Sequence, residues 1–148
     1  LLIAEKDKAH LIPPESSHIL VPSTYEALNC LGSWAREQAT QTRVVAITGS
    51  AGKTTTKEWL KQLLSTMGTT VASSGSYNNH TGVPLSLTEL IEKSDYGVFE
   101  VGTNHPGEVR PLAKLIQPHA CIITTVAPAH VGNFGSVEAI ADEKASIM

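Results

Sequence analysis

The hydrophobic positions of this chain alternate between short apolar runs and stretches with helical spacing. Such runs, when rich in β-branched residues, are typical of buried strands, and spacings of three and four residues are typical of helices that cover them. The predicted strands are 43–48, 69–73, 96–102 and 120–126, and the predicted helices are 54–67, 82–92, 107–117 and 136–148. This order predicts an α/β fold: a mostly parallel sheet with helices on both faces.

The first forty residues follow a different pattern. Residues 1–22 hold two short apolar runs separated by a pair of prolines, which predict two strands. Ser23 and Glu26 form a capping box, so a helix is expected from there to about residue 40. We expect its apolar face to carry Leu28, Leu31, Trp34 and Ala35.

Two units are therefore expected. Residues 1–40 are predicted to be the tail of a preceding domain with a linker helix, and residues 41–148 to be an incomplete central nucleotide-binding domain. The chain begins at Leu1 and ends at Met148, in each case within a predicted element. We therefore expect it to be a central piece of a longer protein.

Composition narrows the class of protein. The chain has 148 residues, of which 41% are hydrophobic, and this suits a globular α/β protein. A net charge of −3 argues against a nucleic-acid partner. No apolar run is long enough to predict a membrane span. Cys30 and Cys121 are not spaced as metal ligands, and we expect free thiols in a reducing compartment.

The stretch "ITGSAGKTTTKEWL" at residues 47–60 predicts a phosphate-binding loop. It reads Gly-x-x-Gly-Lys-Thr between a strand and a helix, two residues shorter than the usual nucleotide loop. Lys53 supplies a charge for phosphates, and the Thr54 hydroxyl is suited to Mg²⁺. The residues expected to bind ATP are Gly49, Ser50, Ala51, Gly52, Lys53, Thr54 and Thr55.

Two further polar residues lie at the end of a predicted strand or just after one, and should be on the ligand side of the sheet. Glu100 lies near the end of the predicted strand "YGVFEVG", where a buried carboxylate requires a cation partner such as Mg²⁺. The alternative is a glutamate at a sheet edge, facing water. His130 follows the last strand, where a neutral imidazole can bind a second metal ion. The alternative is a histidine in a solvated loop.

Lys144 lies in the middle of the apolar stripe of the last predicted helix, one heptad after Val137. Such a lysine either extends its ammonium group to solvent or is desolvated. Desolvation favours the neutral amine. A neutral amine can add CO₂ to form a carbamate, which is a carboxylate-like metal ligand. The helical pattern leaves both possibilities open.

Five segments, taken in order, resemble the motifs of the Mur ligases, the ATP-dependent enzymes that add amino acids to the peptidoglycan precursor. They are "TGSAGKTTTKE", "NNHTGVPLSL", "EVGTNHPGEV", "APAHVGNFGS" and "EKASI". The family has the short form of the loop, and the resemblance extends over essentially the whole chain. It implies that residues 1–40 end the N-terminal, UDP-substrate domain.

The resemblance also implies roles for individual residues. Lys53, His130 and Lys144 are expected to be catalytic, with a CO₂-derived carbamate on Lys144. Asn79 is expected to face the phosphates and the substrate. The family pattern implies two Mg²⁺ sites, with the metal ligands drawn from Thr54, Glu100, His130 and Lys144.

The resemblance implies an amide-forming reaction through an acyl phosphate. The implied small-molecule substrates are UDP-N-acetylmuramoyl-tripeptide and D-alanyl-D-alanine. It implies a cytoplasmic protein, monomeric as a whole, and a fragment that is inactive alone. Three alternatives remain: a sibling ligase with another acceptor, a phosphate-loop ATPase or kinase without a ligase step, and an ATP-binding module without turnover.

Overall fold

The computed structural model of the chain describes residues 1–90, 94–129 and 131–148. Their strands form two sheets, both parallel, of two and four strands. The elements in chain order are β1 Leu2–Glu5, a 3-10 helix Lys6–Leu11, β2 His18–Val21, α1 Thr24–Gln38, β3 Arg43–Thr48, α2 Lys53–Ser65, β4 Thr70–Ala72, α3 Gly82–Leu87, β5 Tyr96–Glu100, α4 Val109–Ile116, β6 Ala120–Ile123, α5 Val131–Phe134 and α6 Val137–Ala145.

The larger sheet places the phosphate loop at its centre. Its strand order is β4-β5-β3-β6, so β3 is an interior strand. Val45 is in register with Val98 on one side and with Ala120 on the other. Because the strands are parallel, their carboxyl ends meet at one edge, where ligands of such sheets bind. The loop after β3 therefore lies between the ends of β5 and β6.

Helices cover both faces of this sheet, as predicted. The alternating residues of β3 separate the two sides: Val44 and Ala46 belong to one core cluster and Ile47 to another. The first cluster includes apolar side chains of α3 and α4, and the second includes Leu60 and Leu64 of α2. This two-sided burial confirms the α/β fold expected from the sequence.

Helix α1 begins where its capping residues predict, but only part of its expected face is buried: Ala35 is 5% exposed, as expected. The Ser23 hydroxyl accepts a hydrogen bond from Glu26 N at 3.2 Å. Leu31 and Trp34 are exposed, at 43% and 61%, whereas Gly32 lies at a close contact with α3. A Cβ on Gly32 would be 2.8 Å from the Pro84 carbonyl oxygen. The backbones of α1 and α3 approach closely here, so the side of α1 that carries Gly32 packs inward.

Arg36 fixes α1 to the end of α4. Its buried guanidinium donates hydrogen bonds to the carbonyls of Ile116 at 2.8 Å and Gln117 at 3.0 Å, and to Ala39 O at 3.2 Å. Burial lowers the pKa of Arg36. The carbonyls at the end of a helix have no partner within the helix, so the guanidinium satisfies groups that burial would otherwise leave unpaired. The linker helix is thus packed on the nucleotide-binding unit. The domain boundary at residue 40 stays a prediction.

Two other predicted helices differ from the structure, and one α-helix that the structure describes was not predicted. The apolar stripe of α2 is divided: Leu60 and Leu64 face the sheet, whereas Trp59, Leu63 and Met67 are 60–70% exposed. Helix α3 ends at Leu87, and part of the predicted extension to residue 92 lies outside the described residues. The short helix α5 was not predicted. Among the described residues, no helix is long and apolar enough to cross a bilayer.

Candidate functional site

The loop after β3 has a backbone shape that requires glycine at its first position. Gly49 has φ of 150° and Gly52 has φ of 81°, both uncommon for residues with a side chain. A Cβ on Gly49 would be 1.9 Å from the Thr124 hydroxyl oxygen. The end of β6 therefore packs directly against the loop, and any side chain at Gly49 would displace it.

Hydrogen bonds seat the loop on the segment that follows β6. Ser50 N donates to Thr125 O at 2.8 Å, and the Ser50 hydroxyl exchanges two hydrogen bonds with the Ala127 backbone. The Thr124 hydroxyl donates to Ala51 O at 2.6 Å. Ser50 and Ala51, which the sequence assigns to phosphate binding, thus also hold the loop in place. The role of their amides toward a nucleotide stays a prediction.

Replacing Gly49 with alanine is expected to disrupt the contacts between the loop and the segment after β6. Backbone strain together with the clash at Thr124 should lower the free energy of unfolding by about 1–3 kcal/mol, measurable by urea denaturation. Nucleotide binding should be lost as well. Gly132→Ala is the matched control, because a Cβ there meets no described atom within 4 Å. Equal stability and equal nucleotide affinity of the two variants would contradict the assignment.

Helix α2 begins directly at the loop and presents its N-terminal turn at the carboxyl edge of the sheet. The first N–H groups of a helix have no partner within it, and together with the helix dipole they attract anions. Lys53 and Thr54 are the first two residues of α2, and Thr55 is exposed in the same turn. Lys53 Nζ donates to Gly49 O at 2.8 Å, so its ammonium lies over the loop. This arrangement suits a phosphate chain.

Glu100 is the buried carboxylate of the site. It is 1% exposed at the end of interior strand β5, so the alternative of a solvated edge residue is wrong. Its two carboxylate oxygens accept hydrogen bonds of 2.7 Å, one from the Thr54 hydroxyl and one from Asn78 Nδ2. Both donors are uncharged, and no ion pair to Glu100 forms among the described residues. A buried carboxylate of this kind is stabilised by a cation.

The donor set fits Mg²⁺. This ion prefers oxygen ligands and is usually held by one or two carboxylates together with substrate phosphates. The Thr54 hydroxyl and the Glu100 carboxylate meet beside the loop that would hold those phosphates. In the described part of the chain, no three His, Cys, Asp or Glu residues are grouped as a complete metal site. Phosphate and water oxygens would therefore have to complete the coordination.

Two adjacent asparagines have different contacts. Asn78, for which the sequence predicted no role, donates a hydrogen bond to Glu100. Asn79, which it did select, accepts hydrogen bonds from Gly82 N at 2.8 Å and Thr81 N at 3.2 Å. Asn79 thus shapes the start of α3, while its role toward phosphate or substrate stays a prediction. The pair "NN" alone gives no signal to tell which side chain turns toward Glu100.

A cavity of about 510 Å³ opens beside Lys53. Its lining includes both asparagines, the residues after β5 and Tyr25 at the start of α1. Tyr25 packs edge to face on His80, with ring centroids 5.8 Å apart. A larger depression of about 610 Å³ between α4 and α6 contains no residue of the loop. Of these two cavities, the one beside Lys53 is the one that adjoins the phosphate loop.

Glu108 orders the far wall of this cavity. Its carboxylate accepts hydrogen bonds from Asn104 N at 2.7 Å, His105 N at 3.1 Å and the Thr103 hydroxyl at 3.2 Å. These bonds, with the one from Asn104 N first, lower the pKa of Glu108. The carboxylate therefore stays charged at neutral pH and keeps the turn after β5 in shape.

Lys144 is buried, which decides between the two possibilities left open by the helical pattern. It lies on α6 and is 4% exposed, so its side chain does not extend into solvent. Burial lowers its pKa, and the charge of Lys53 lowers it further, against the opposing effect of Glu143. Helix α6 is held in place by the Glu143 carboxylate, which accepts hydrogen bonds from Gly107 N at 2.7 Å and Val109 N at 2.8 Å. The charge of Lys53 thus acts on Lys144, while the part of Lys144 in a metal site stays a prediction.

His130 lies outside the described residues. Its assignment to a second metal ion and to catalysis stays a prediction. The described residues on either side of it, at the end of 124–129 and the start of α5, follow β6 on the edge of the sheet that carries the loop.

A glycine loop between an interior parallel strand and a helix, with a lysine, a threonine and a buried carboxylate beside it, defines a nucleotide-binding domain of the phosphate-loop class. Residues 47–148 match the profile of the Mur ligase middle domain. The chain therefore belongs to the Mur ligase family.

Two curated relatives are similar to this chain and support the family assignment. The UDP-N-acetylmuramoyl-tripeptide–D-alanyl-D-alanine ligase of Escherichia coli is 40% identical over 129 residues, covering 87% of this chain and 28% of that protein. The ligase of the same name from Bacillus subtilis is 39% identical over 137 residues, or 92% and 30% of the two chains.

Solved structures give the same picture. MurF from Acinetobacter baumannii matches with a TM-score of 0.83 and 39% identity, over 98% of this chain and 31% of that one. The MurF ligase from Thermotoga maritima, solved in complex with ADP, matches with a TM-score of 0.74 and 32% identity, over 92% and 32%. The chain thus spans about three tenths of the length of these relatives.

Proposed function

We propose that the whole protein is an ATP-dependent ligase that joins D-alanyl-D-alanine to UDP-N-acetylmuramoyl-tripeptide in peptidoglycan precursor synthesis. The observation that carries the proposal is the buried Glu100 carboxylate bonded to Thr54 at the start of α2, beside Lys53 and an adjoining cavity. The names of the relatives specify the substrates. ATP and the nucleotide-linked substrate place the reaction in the cytoplasm, and we expect a monomer.

The proposed reaction has two steps. A carboxylate oxygen of the tripeptide attacks the γ-phosphorus of ATP, which forms an acyl phosphate and releases ADP. The amine of D-alanyl-D-alanine then attacks the acyl carbon, and inorganic phosphate leaves as the amide forms and the amine loses a proton. Both steps bring anions together, so their barriers depend on how well the site neutralises and positions negative charge.

The residues of this chain supply that positioning. The loop and the first turn of α2 hold the phosphate chain, and Lys53 offsets the charge that develops on the transferred phosphoryl group. Mg²⁺ bound at Thr54 and Glu100 would add charge neutralisation between phosphate and carboxylate. In this proposal the tripeptide carboxylate occupies the cavity beside Lys53, and the position of that cavity next to the first turn of α2 supports the assignment.

A second Mg²⁺ site at His130 and Lys144 is part of the proposal. A carbamate on Lys144 would supply the oxygen ligands, since an uncharged amine is required for CO₂ addition and burial lowers the lysine pKa. The proximity of Lys144 to Lys53 favours such a conversion, because an anionic carbamate replaces the repulsion between two cations by attraction.

The proposal is tested by phosphate release from the whole protein. We expect release to require Mg-ATP, UDP-N-acetylmuramoyl-tripeptide and D-alanyl-D-alanine together, measured by omitting each in turn. Release with a different amine in place of the dipeptide would indicate a sibling ligase. Release with ATP alone would indicate a simple ATPase, and nucleotide binding without any release would indicate a non-catalytic module.

A further inference from the structure

Lys57 is a fully buried lysine that the proposed reaction does not use. It lies on α2, one turn after Lys53, and is 0% exposed. Its ammonium donates to Ser73 O at 2.7 Å and also to Gly75 O, and it lies 2.9 Å from the Glu58 carboxylate. These contacts are named the Lys57 clasp. They join the helix of the phosphate loop to the turn that follows β4.

The clasped turn leads directly to the residues that hold Glu100. The Ser73 hydroxyl accepts a hydrogen bond from Glu100 N at 3.2 Å, and Ser73 N donates to Val98 O at 3.1 Å. Three residues beyond Gly75, Asn78 donates to the Glu100 carboxylate. Residues at both ends of this turn, Ser73 and Asn78, therefore hold Glu100 in position relative to α2. Lys57 holds the turn itself against α2.

Burying an ammonium group is costly unless its donors are satisfied, and apolar packing of the same volume is often at least as stable. A lysine at this position is therefore poorly explained by stability alone. The three N–H donors of one ammonium group can bind two carbonyls of a turn at once, which no apolar side chain can do. The contacts suit a lysine that keeps the Thr54 hydroxyl and the Glu100 carboxylate at a fixed distance and orientation.

We propose that Lys57 is a positioning residue for the metal-binding pair: it holds the turn 73–78 against α2 and thereby keeps the Glu100 carboxylate at the Thr54 hydroxyl. The proposal rests on the proposed function, because it assumes that this pair binds Mg²⁺. Lys57 itself touches neither nucleotide nor metal. Groups that orient metal ligands in this way typically change metal affinity by 10–100-fold when they are removed.

The test compares Lys57→Met with Lys61→Met in the whole protein. Methionine keeps much of the length of the side chain but cannot form the clasp, and Lys61 is an exposed lysine one turn further along α2. The measurement is the Mg²⁺ concentration that gives half-maximal binding of a fluorescent ATP analogue, with binding in EDTA and the melting temperature recorded in parallel.

For Lys57→Met we expect the Mg²⁺ requirement to rise by about tenfold or more. Binding in EDTA should match that of Lys61→Met. A Lys57→Met protein with the same Mg²⁺ requirement as Lys61→Met overturns the proposal, even if its melting temperature falls, because the role is then one of packing. If Lys57→Met does not fold, Lys57→Gln decides, since its shorter amide side chain keeps a polar group but cannot reproduce the ammonium contacts to both Ser73 O and Gly75 O; an unchanged Mg²⁺ requirement there overturns the proposal.

Glu100→Gln separates this proposal from the one on which it rests. If Glu100→Gln leaves the Mg²⁺ requirement unchanged, the proposed metal site is wrong and the role of Lys57 falls with it. If Glu100→Gln raises the requirement and Lys57→Met does not, the metal site stands and the positioning role alone is rejected.

Discussion

Replacing Lys53 with alanine is expected to reduce ligase turnover of the whole protein by about 10³-fold. The ammonium lies over the phosphate loop, 2.8 Å from Gly49 O. In the proposed reaction this position faces the charge that develops as the phosphoryl group is transferred. Removing one such charged donor typically costs 10²–10³-fold in rate. Phosphate release with all three substrates present measures the loss directly.

The control for this result is Lys61→Ala, which removes an exposed lysine from the same helix and should leave turnover unchanged. Near-normal activity of Lys53→Ala would remove Lys53 from the proposed mechanism. Melting curves of both variants should agree closely, because Lys53 carries no core packing; a large drop for Lys53→Ala alone would instead assign the lost activity to folding.

Replacing Lys144 with alanine is expected to reduce turnover by about 10²-fold or more, with partial recovery when short carboxylic acids such as acetate are added. The variant removes the proposed carbamate and leaves space at a buried position, 4% exposed in the native chain. A small carboxylate entering that space would replace the lost ligand oxygens. Groups that only orient metal ligands typically cost 10–100-fold when they are removed, so the loss of a ligand should cost at least as much. The readout is phosphate release as a function of acid concentration.

Two controls make the Lys144 result specific. Asp142→Ala changes an exposed residue on the same helix and should behave like the native protein. Lys53→Ala should not recover with acetate, because a carboxylate cannot replace a cation. Full activity of Lys144→Ala would rule out the carbamate, and loss of activity with no recovery would favour a role of the lysine as an amine.

The sequence predicted much of the fold because strands and helices impose different periodicities on apolar residues. The four strands of the large sheet fall within the predicted runs, and Ser23 caps α1 as its spacing indicates. The face that α1 buries was not predictable in this way. Leu31 and Trp34 look more suited to a core than Gly32, but close approach to Pro84 selects the small residue.

The candidate site shows the same division. The spacing from Gly49 to Thr54 identified the phosphate loop, since backbone conformation and charge there depend on local sequence. The partners of Glu100 depended on tertiary contacts: Asn78 donates to its carboxylate, a contact that the sequence did not indicate, whereas the role predicted for Asn79 toward phosphate or substrate stays a prediction. Local pattern cannot decide between two identical adjacent side chains, because the turn that orients them is held by distant residues.

By itself, then, the sequence determined which segments become strands and helices and where the phosphate loop lies. It also determined the chemistry that Lys53 and Thr54 can support. Tertiary structure alone decided which polar side chains are buried together. From the sequence alone, Lys57 resembles any other lysine on a helix, and only the turn after β4 buries its ammonium group. The environment of Lys144 is likewise settled only when α6 packs against α4. The physical reason is desolvation: the cost of removing a charge from water depends on the neighbours that the fold supplies, and these lie far away along the chain.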